Sequence, residues 1–204
     1  MQIYTNRRQL IPRRSRRRRL PFPAAPNLRM AQLSAPSLFD SVEAFPRERW
    51  NALESFRPRI LVGSTADLQS FAEWVRRTVA DLSSVDHAIF ALTRMGDEPL
   101  TDVTRVVLWQ AFGVPVYELF LGNGGVMLAA ECEAHEGWHV EPNVRFFVGA
   151  HGELAYDAPS ARGQRTGLRG SVRTETCSCG REGARLLDVE GFGFDSLLQL
   201  AATA

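Results

Sequence analysis

The sequence predicts an α/β fold, and three observations carry that prediction. Three short apolar runs, Arg59-Ile60-Leu61-Val62-Gly63, Ala88-Ile89-Phe90-Ala91-Leu92 and Val114-Pro115-Val116-Tyr117, have the length and composition of buried strands. Between them apolar residues recur at helical spacing behind a capping residue each time. Beyond residue 125 the pattern changes to short apolar runs with tight connections, and no further helix pattern intervenes until residues 194–200. The N-terminal half is therefore expected to alternate strand and helix on a parallel sheet, and the C-terminal half to be mainly β.

Each element has a local reason. Leu38, Phe39, Val42 and Phe45 suggest a short amphipathic helix. Ser64, with Asp67 three residues on, is a helix N-cap, and Leu68, Phe71, Ala72, Val75, Val79 and Leu82 form the apolar stripe behind it. Thr101 caps a second helix that carries Val103, Val106, Val107 and Ala111, and Gly113 fits the position just past its end. Residues 126–130, 144–148 and 152–156 read as strands.

The charge is unevenly spread. A formal net charge of +1 conceals nine Arg and no acid in residues 1–29, leaving 15 Arg against 23 acids in the rest. Residues 1–36, with the run Arg13-Arg14-Ser15-Arg16-Arg17-Arg18-Arg19 followed by Pro21, Pro23 and Pro26, are expected to form a disordered tail. Such a tail is a basic arm for nucleic acid or targeting, or a solvated extension ahead of Met30. Residues 37–204 are expected to be a single α/β domain. Its acidic body speaks against a nucleic-acid face, and no run is long and apolar enough for a membrane helix.

All 24 basic residues are Arg. Chemistry that needs a lysine, such as a Schiff base or a phosphate-binding P-loop, cannot run on this chain alone. The Asp86-His87 pair near Ser83 and Ser84 is not spaced as a triad. Glu131 and Glu133 alternate with Cys132 along a strand and are expected to be solvated or to sit behind a ligand.

Three Cys are too few for a disulfide framework and suit a reducing, cytoplasmic setting. Cys132, Cys177 and Cys179 can supply three thiolates to a tetrahedral Zn²⁺, with His139 or His135 as the fourth ligand. Gly137 permits a reversal between Cys132 and His139, and Gly180 relieves the turn after Cys177-Ser178-Cys179. Such a zinc-knuckle-like site has no open position, which makes it structural. Its net charge of −1 would be offset by Arg173, Arg181 and Arg185 nearby in sequence.

Several segments, in order, resemble the phenylacetate-CoA ligase family of acyl-adenylate-forming enzymes. They are Gly96-Asp97-Glu98-Pro99-Leu100-Thr101, Phe112-Gly113-Val114-Pro115-Val116-Tyr117, Glu131-Cys132-Glu133-Ala134-His135-Glu136-Gly137-Trp138-His139, Gly152-Glu153-Leu154, Arg165-Thr166-Gly167 and Cys177-Ser178-Cys179-Gly180-Arg181. The resemblance spans about residues 58–191. It implies part of a large domain that binds ATP and an acid, and it places a Cys-His-Cys-Cys zinc set on Cys132, His139, Cys177 and Cys179. It also places the nucleotide pocket near Gly96, Asp97, Glu98, Pro99, Asn123 and Gly124.

The departures are equally informative. Asn123 and Gly124 stand where the family has a phosphate-holding hydroxyl and a Mg²⁺-binding Glu. Leu168 stands where the family has the Asp that grips the ribose, and leucine accepts no hydrogen bond. The Ser/Thr/Gly-rich phosphate loop and the C-terminal domain with its lysine have no counterpart. The resemblance thus implies a zinc-binding, non-catalytic remnant to which ATP and Mg²⁺ are not expected to bind. The alternatives are a fragment of an active AMP-forming acid-CoA ligase that needs a complementing chain or a homo-oligomer, and a nucleic-acid module using the Arg-rich tail. Exposed apolar surface within residues 58–125 would point to the fragment.

Overall fold

The computed structural model describes residues 28–39 and 41–191. The Arg-rich run and the helix expected at 194–200 lie outside these residues. Eleven strands form one sheet in the order β2-β1-β3-β4-β5-β6-β7-β11-β10-β9-β8.

The first part is the parallel α/β unit. Strand β1 (Met30–Gln32) lies between β2 (Val42–Ala44) and β3 (Ile60–Ser64), β3 pairs with β4 (Ala88–Arg94), and β4 pairs with β5 (Val116–Leu121), all in parallel. A short α1 (Leu53–Phe56) precedes β3. Helices α2 (Thr65–Thr78) and α3 (Asp102–Phe112) are the crossovers. Both caps form as expected: Ser64 Oγ accepts from Asp67 N at 3.1 Å and Thr101 Oγ1 from Thr104 N at 3.2 Å. Gly113 ends α3 in the left-handed conformation at φ 69°. Leu68 and Phe71 of α2 and Leu108 of α3 bury their side chains against Leu61, Ile89 and Val116 on one face of the sheet. Each such side chain contributes about 1.5–3 kcal/mol.

The rest is antiparallel. It comprises β6 (Met127–Glu131), β7 (Trp138–Val140), β8 (Arg145–Val148), β9 (Glu153–Ala158), the long β10 (Ala161–Arg173) and β11 (Arg185–Gly191). Phe120, Leu128, Trp138, Phe146, Leu154, Tyr156, Leu168 and Leu186 make its core.

Four expectations are corrected. The tail does not extend to residue 36, because Met30–Gln32 is a fully buried strand. Residues 38–45 are not a helix: Val42–Ala44 joins the sheet beside β1, while Phe39 and Phe45 are buried by the chain's bends. The α2 stripe ends at Thr78, since Val79 turns left-handed and is 87% exposed. The α3 valines do not face the core: Val103, Val106, Val107 and Trp109 are 75%, 51%, 44% and 57% exposed. Among the described residues no helix is long and apolar enough to cross a membrane.

Candidate metal centre

Cys132 lies just past β6, whose ladder with β7 sets Ala130 opposite His139. Between them the chain reverses through a turn in which His135 N donates to Cys132 O at 3.0 Å. Gly137 is required there. It has φ +87°, and a Cβ on it would lie 2.3 Å from Leu186 O and 2.4 Å from Leu187 Cδ2. Gly137→Ala is therefore expected to cost about 2 kcal/mol or more, measured by denaturant unfolding of the metal-loaded protein. His139 also pairs with Arg185 of β11, so the ladder brings the two ends of the site together. Cys177 and Cys179 sit in the β10–β11 connection, a tight turn closed by Gly180 N to Cys177 O at 2.9 Å and Cys177 N to Arg181 O at 3.3 Å.

The ligand atoms of Cys132, His139, Cys177 and Cys179 all lie within 4.8 Å of one another. Cys132 Sγ is 3.7 Å from Cys177 Sγ, and Cys179 Sγ is 3.4 Å from His139 Nε2. A tetrahedral ion with Zn–S of about 2.3 Å and Zn–N of about 2.0 Å requires about 3.8 Å between sulfurs and about 3.5 Å between sulfur and nitrogen. Those two pairs match such an ion, and the whole set lies close enough together to gather around one. His135 is not part of the set. Its Nδ1 pairs with Glu131 Oε1 at 2.9 Å, and its ring stacks on Tyr117 at 5.2 Å.

The electrostatics suit a cation. Burial pushes the Cys132 thiol up to about 11, with the neighbouring Cys179 and Cys177 adding to the rise. For Cys179 burial also acts upward, but the Arg181 backbone N–H and hydrogen bonds with Cys177 and Cys132 outweigh it and hold the thiol below its ordinary value. Burial first, then Arg181 and Arg185, lower the His139 pKa, so the imidazole is neutral at neutral pH, as ligation needs.

A second layer joins the two loops, and sequence reasoning passed over two of its three members. Glu136 accepts from Ser178 Oγ at 2.7 Å and from Ser178 N at 3.2 Å, and these bonds lower its pKa. Buried Arg185 donates to Glu136 O at 2.9 Å and to its carboxylate at 3.3 Å. Arg181 reaches Glu133 at 3.8 Å, while Arg173 lies opposite Arg185 in the β10–β11 ladder. The Cys-Ser-Cys spacing points to sulfur alone, and the partner of Ser178 lies 42 residues away.

The residues expected around a nucleotide divide between two places. Asp97, Glu98 and Pro99 line a cavity of about 470 Å³ beside Arg94 and the capping ends of α2 and α3. Asn123 and Gly124 line another, of about 360 Å³, with Tyr156 and Gln164. Gly96 N donates to Thr166 O at 3.2 Å and packs against Gly167. Leu168 is wholly buried in the β core, and Arg165 is tied to Glu153 at 2.8 Å.

Glu131 is not solvated. It is 4% exposed, and its carboxylate accepts from Arg105 at 3.0 and 3.1 Å and from Glu118 N at 2.9 Å.

The structure is similar to solved acid-CoA ligases. It superposes on 2-hydroxyisobutyryl-CoA ligase, in an open conformation with 2-HIB-AMP and CoA, with a TM-score of 0.66 at 15% identity, covering 81% of this chain and 45% of that one. The anthranilate CoA ligase AuaEII with anthranoyl-AMP gives 0.56 at 12% identity, over 77% and 39% of the two chains. Coronafacic acid ligase from Pectobacterium brasiliense gives 0.54 at 13% identity, over 79% and 39%. The chain carries part of the acid-CoA ligase fold. It spans less than half the length of these ligases, and the likeness does not single out the phenylacetate-CoA branch. No protein-family model and no curated protein matches it.

Proposed function

We propose that this chain is a zinc-stabilised protein on part of the acid-CoA ligase fold, of phenylacetate-CoA ligase type, that binds rather than adenylates. The spacing of Cys132, His139, Cys177 and Cys179 carries this reading, because sulfur–sulfur and sulfur–nitrogen distances of 3.7 and 3.4 Å are those a tetrahedral ion demands. The ion fixes the β6–β7 turn to the β10–β11 connection. Four protein ligands leave it no reactive position. Free thiols in such a site belong in a reducing compartment, the cytoplasm.

The non-catalytic part of the reading rests on what replaces the nucleotide grip. Leu168 is a core residue, and a carboxylate there would be desolvated. Arg165 is engaged by Glu153.

Elemental analysis of protein purified without a metal-affinity tag is expected to find a single zinc per chain. Well-folded protein without zinc would sink the metal assignment. Pyrophosphate exchange with a panel of aryl and acyl acids is expected to be absent, with no saturable ATP binding up to about 1 mM, the upper end of ordinary enzyme affinities. Exchange above background would overturn the non-catalytic assignment and leave the zinc one standing.

A further inference from the structure

We propose, resting on the zinc reading for the starting state, that the Cys/His cluster is a hydroperoxide-sensitive modification site. Cys179 is the sulfur attacked, and a Cys132–Cys177 disulfide is the product that ends metal binding.

The three sulfurs are unequally accessible. Cys132 is 0% and Cys177 2% exposed, whereas Cys179 is partly exposed. Glu136 stands over Cys177, with its carboxylate 3.5 Å from the sulfur and held there by Ser178. A hydroperoxide therefore meets Cys179 first. Both other sulfurs lie within 4.8 Å of it. An accessible sulfur with a resolving thiol beside it is the arrangement that redox-sensing cysteines use.

The Cys179 thiolate attacks hydrogen peroxide. An S–O bond forms, the O–O bond breaks, and the departing hydroxide takes a proton from solvent to become water. The sulfenic acid on Cys179 is no longer an anionic ligand. The Cys132 thiolate then attacks the Cys179 sulfur, so that an S–S bond forms, the S–O bond breaks, and a second hydroxide leaves as water. A pair of electrons has passed from Cys132 and Cys179 to the peroxide. In the last step the Cys177 thiolate attacks the Cys132 sulfur and expels Cys179 as a thiolate.

Geometry favours that last exchange. Cys177 Sγ is 3.7 Å from Cys132 Sγ, so a disulfide of about 2.0 Å needs roughly 1.7 Å of approach. Cys177 can yield that distance, because it lies in the connection between Arg173 and Arg185, outside both ladders. The resulting bridge joins the two buried sulfurs and ties the same two loops as the ion. A Cys177–Cys179 bridge would instead close a small ring across the turn that Gly180 N and Cys177 O hold at 2.9 Å. With Cys132 and Cys177 joined, Cys179 and His139 are the remaining ligands, too few for a structural zinc site. In a reducing compartment such a disulfide is transient, as a sensor requires.

The test treats the full-length, zinc-loaded protein with hydrogen peroxide in the presence of a chromophoric chelator. Thiols are then blocked by alkylation and the unreduced protein is mapped by tandem mass spectrometry. Cys177 and Cys179 share the tryptic peptide 174–181, so fragmentation is what assigns the bridge. Zinc is expected to leave in step with disulfide formation and in equal amount. Cys132 is expected to be linked to Cys177, with the alkyl label on Cys179, and a thiol reductant with added zinc is expected to restore the starting state. Zinc retained with no disulfide, a Cys132–Cys179 or Cys177–Cys179 end product, an interchain bridge, or sulfinic acid on Cys179 alone overturns the proposal. Protein that holds no zinc before treatment marks failure of the metal reading instead, and the disulfide map of that reduced protein still decides the sulfur pairing.

Discussion

Cys132→Ser is expected to leave the protein without metal and without a folded C-terminal half. Cys132 is wholly buried between β6 and the β10–β11 connection, so its sulfur cannot be replaced by solvent. A structural zinc contributes on the order of 10 kcal/mol of folding free energy at neutral pH. That is comparable with the whole stability of a domain, about 5–15 kcal/mol. Loss of one buried ligand is therefore expected to convert a cooperative thermal transition into a broad one, with β structure beyond residue 126 lost by circular dichroism. Cys179→Ser, at a half-exposed position, is expected to retain a weaker site. Burial holds the Cys132 thiol near 11 in the absence of an ion, so binding must displace its proton. Zinc affinity is accordingly expected to rise with pH, measured by competition with a chromophoric chelator. Wild-type stability in Cys132→Ser would mean that no ion holds these loops.

The Cys/His cluster was legible because each of its pieces is local. Cys132 and His139 are joined by one turn, and Cys177-Ser178-Cys179 by another, and glycine marks both. The helix caps at Ser64 and Thr101 were legible for the same reason, since a capping bond spans three residues. What failed was whatever depended on a distant partner. Strand β7 is three residues long, and β11 takes its place from pairing with β7 and β10. Val42–Ala44 carries no period of its own and becomes a strand because β1 offers an edge. The valines of α3 have a true apolar stripe, but a stripe says only that a face will be covered. The sheet took the face with Leu108, and the valines were left outward.

Arg105→Met is expected to destabilise the fold by about 3–5 kcal/mol, the usual cost of leaving one partner of a buried ion pair alone. Arg105 of α3 forks onto both oxygens of Glu131 on β6 and also donates to Val116 O on β5. Its partner's side chain is only 6% exposed. The same carboxylate accepts from Glu118 N and His135, so one charge ties α3, β5, β6 and the metal-site turn together. Residues 105, 118 and 131 stand on a helix and two different strands, so no helix or strand period joins them. Arg105→Met combined with Glu131→Leu is expected to recover much of the loss, because no uncompensated charge is then buried. Glu118 gives the network a pH signature. Burial raises its pKa, and the adjacent Glu131 adds to the rise against the bonds from Thr93 and Leu100. A carboxyl whose pKa is raised in the folded state holds its proton more tightly there than when unfolded. Its contribution to stability is therefore present at low pH and lost as pH rises from the ordinary Glu range through the raised value. Glu118→Gln keeps an oxygen for Thr93 Oγ1 and Leu100 N and has no charge to bury. Denaturant midpoints followed across pH are expected to show a shallower decline in Glu118→Gln than in the parent. A parallel decline in both would place the buried proton on another group.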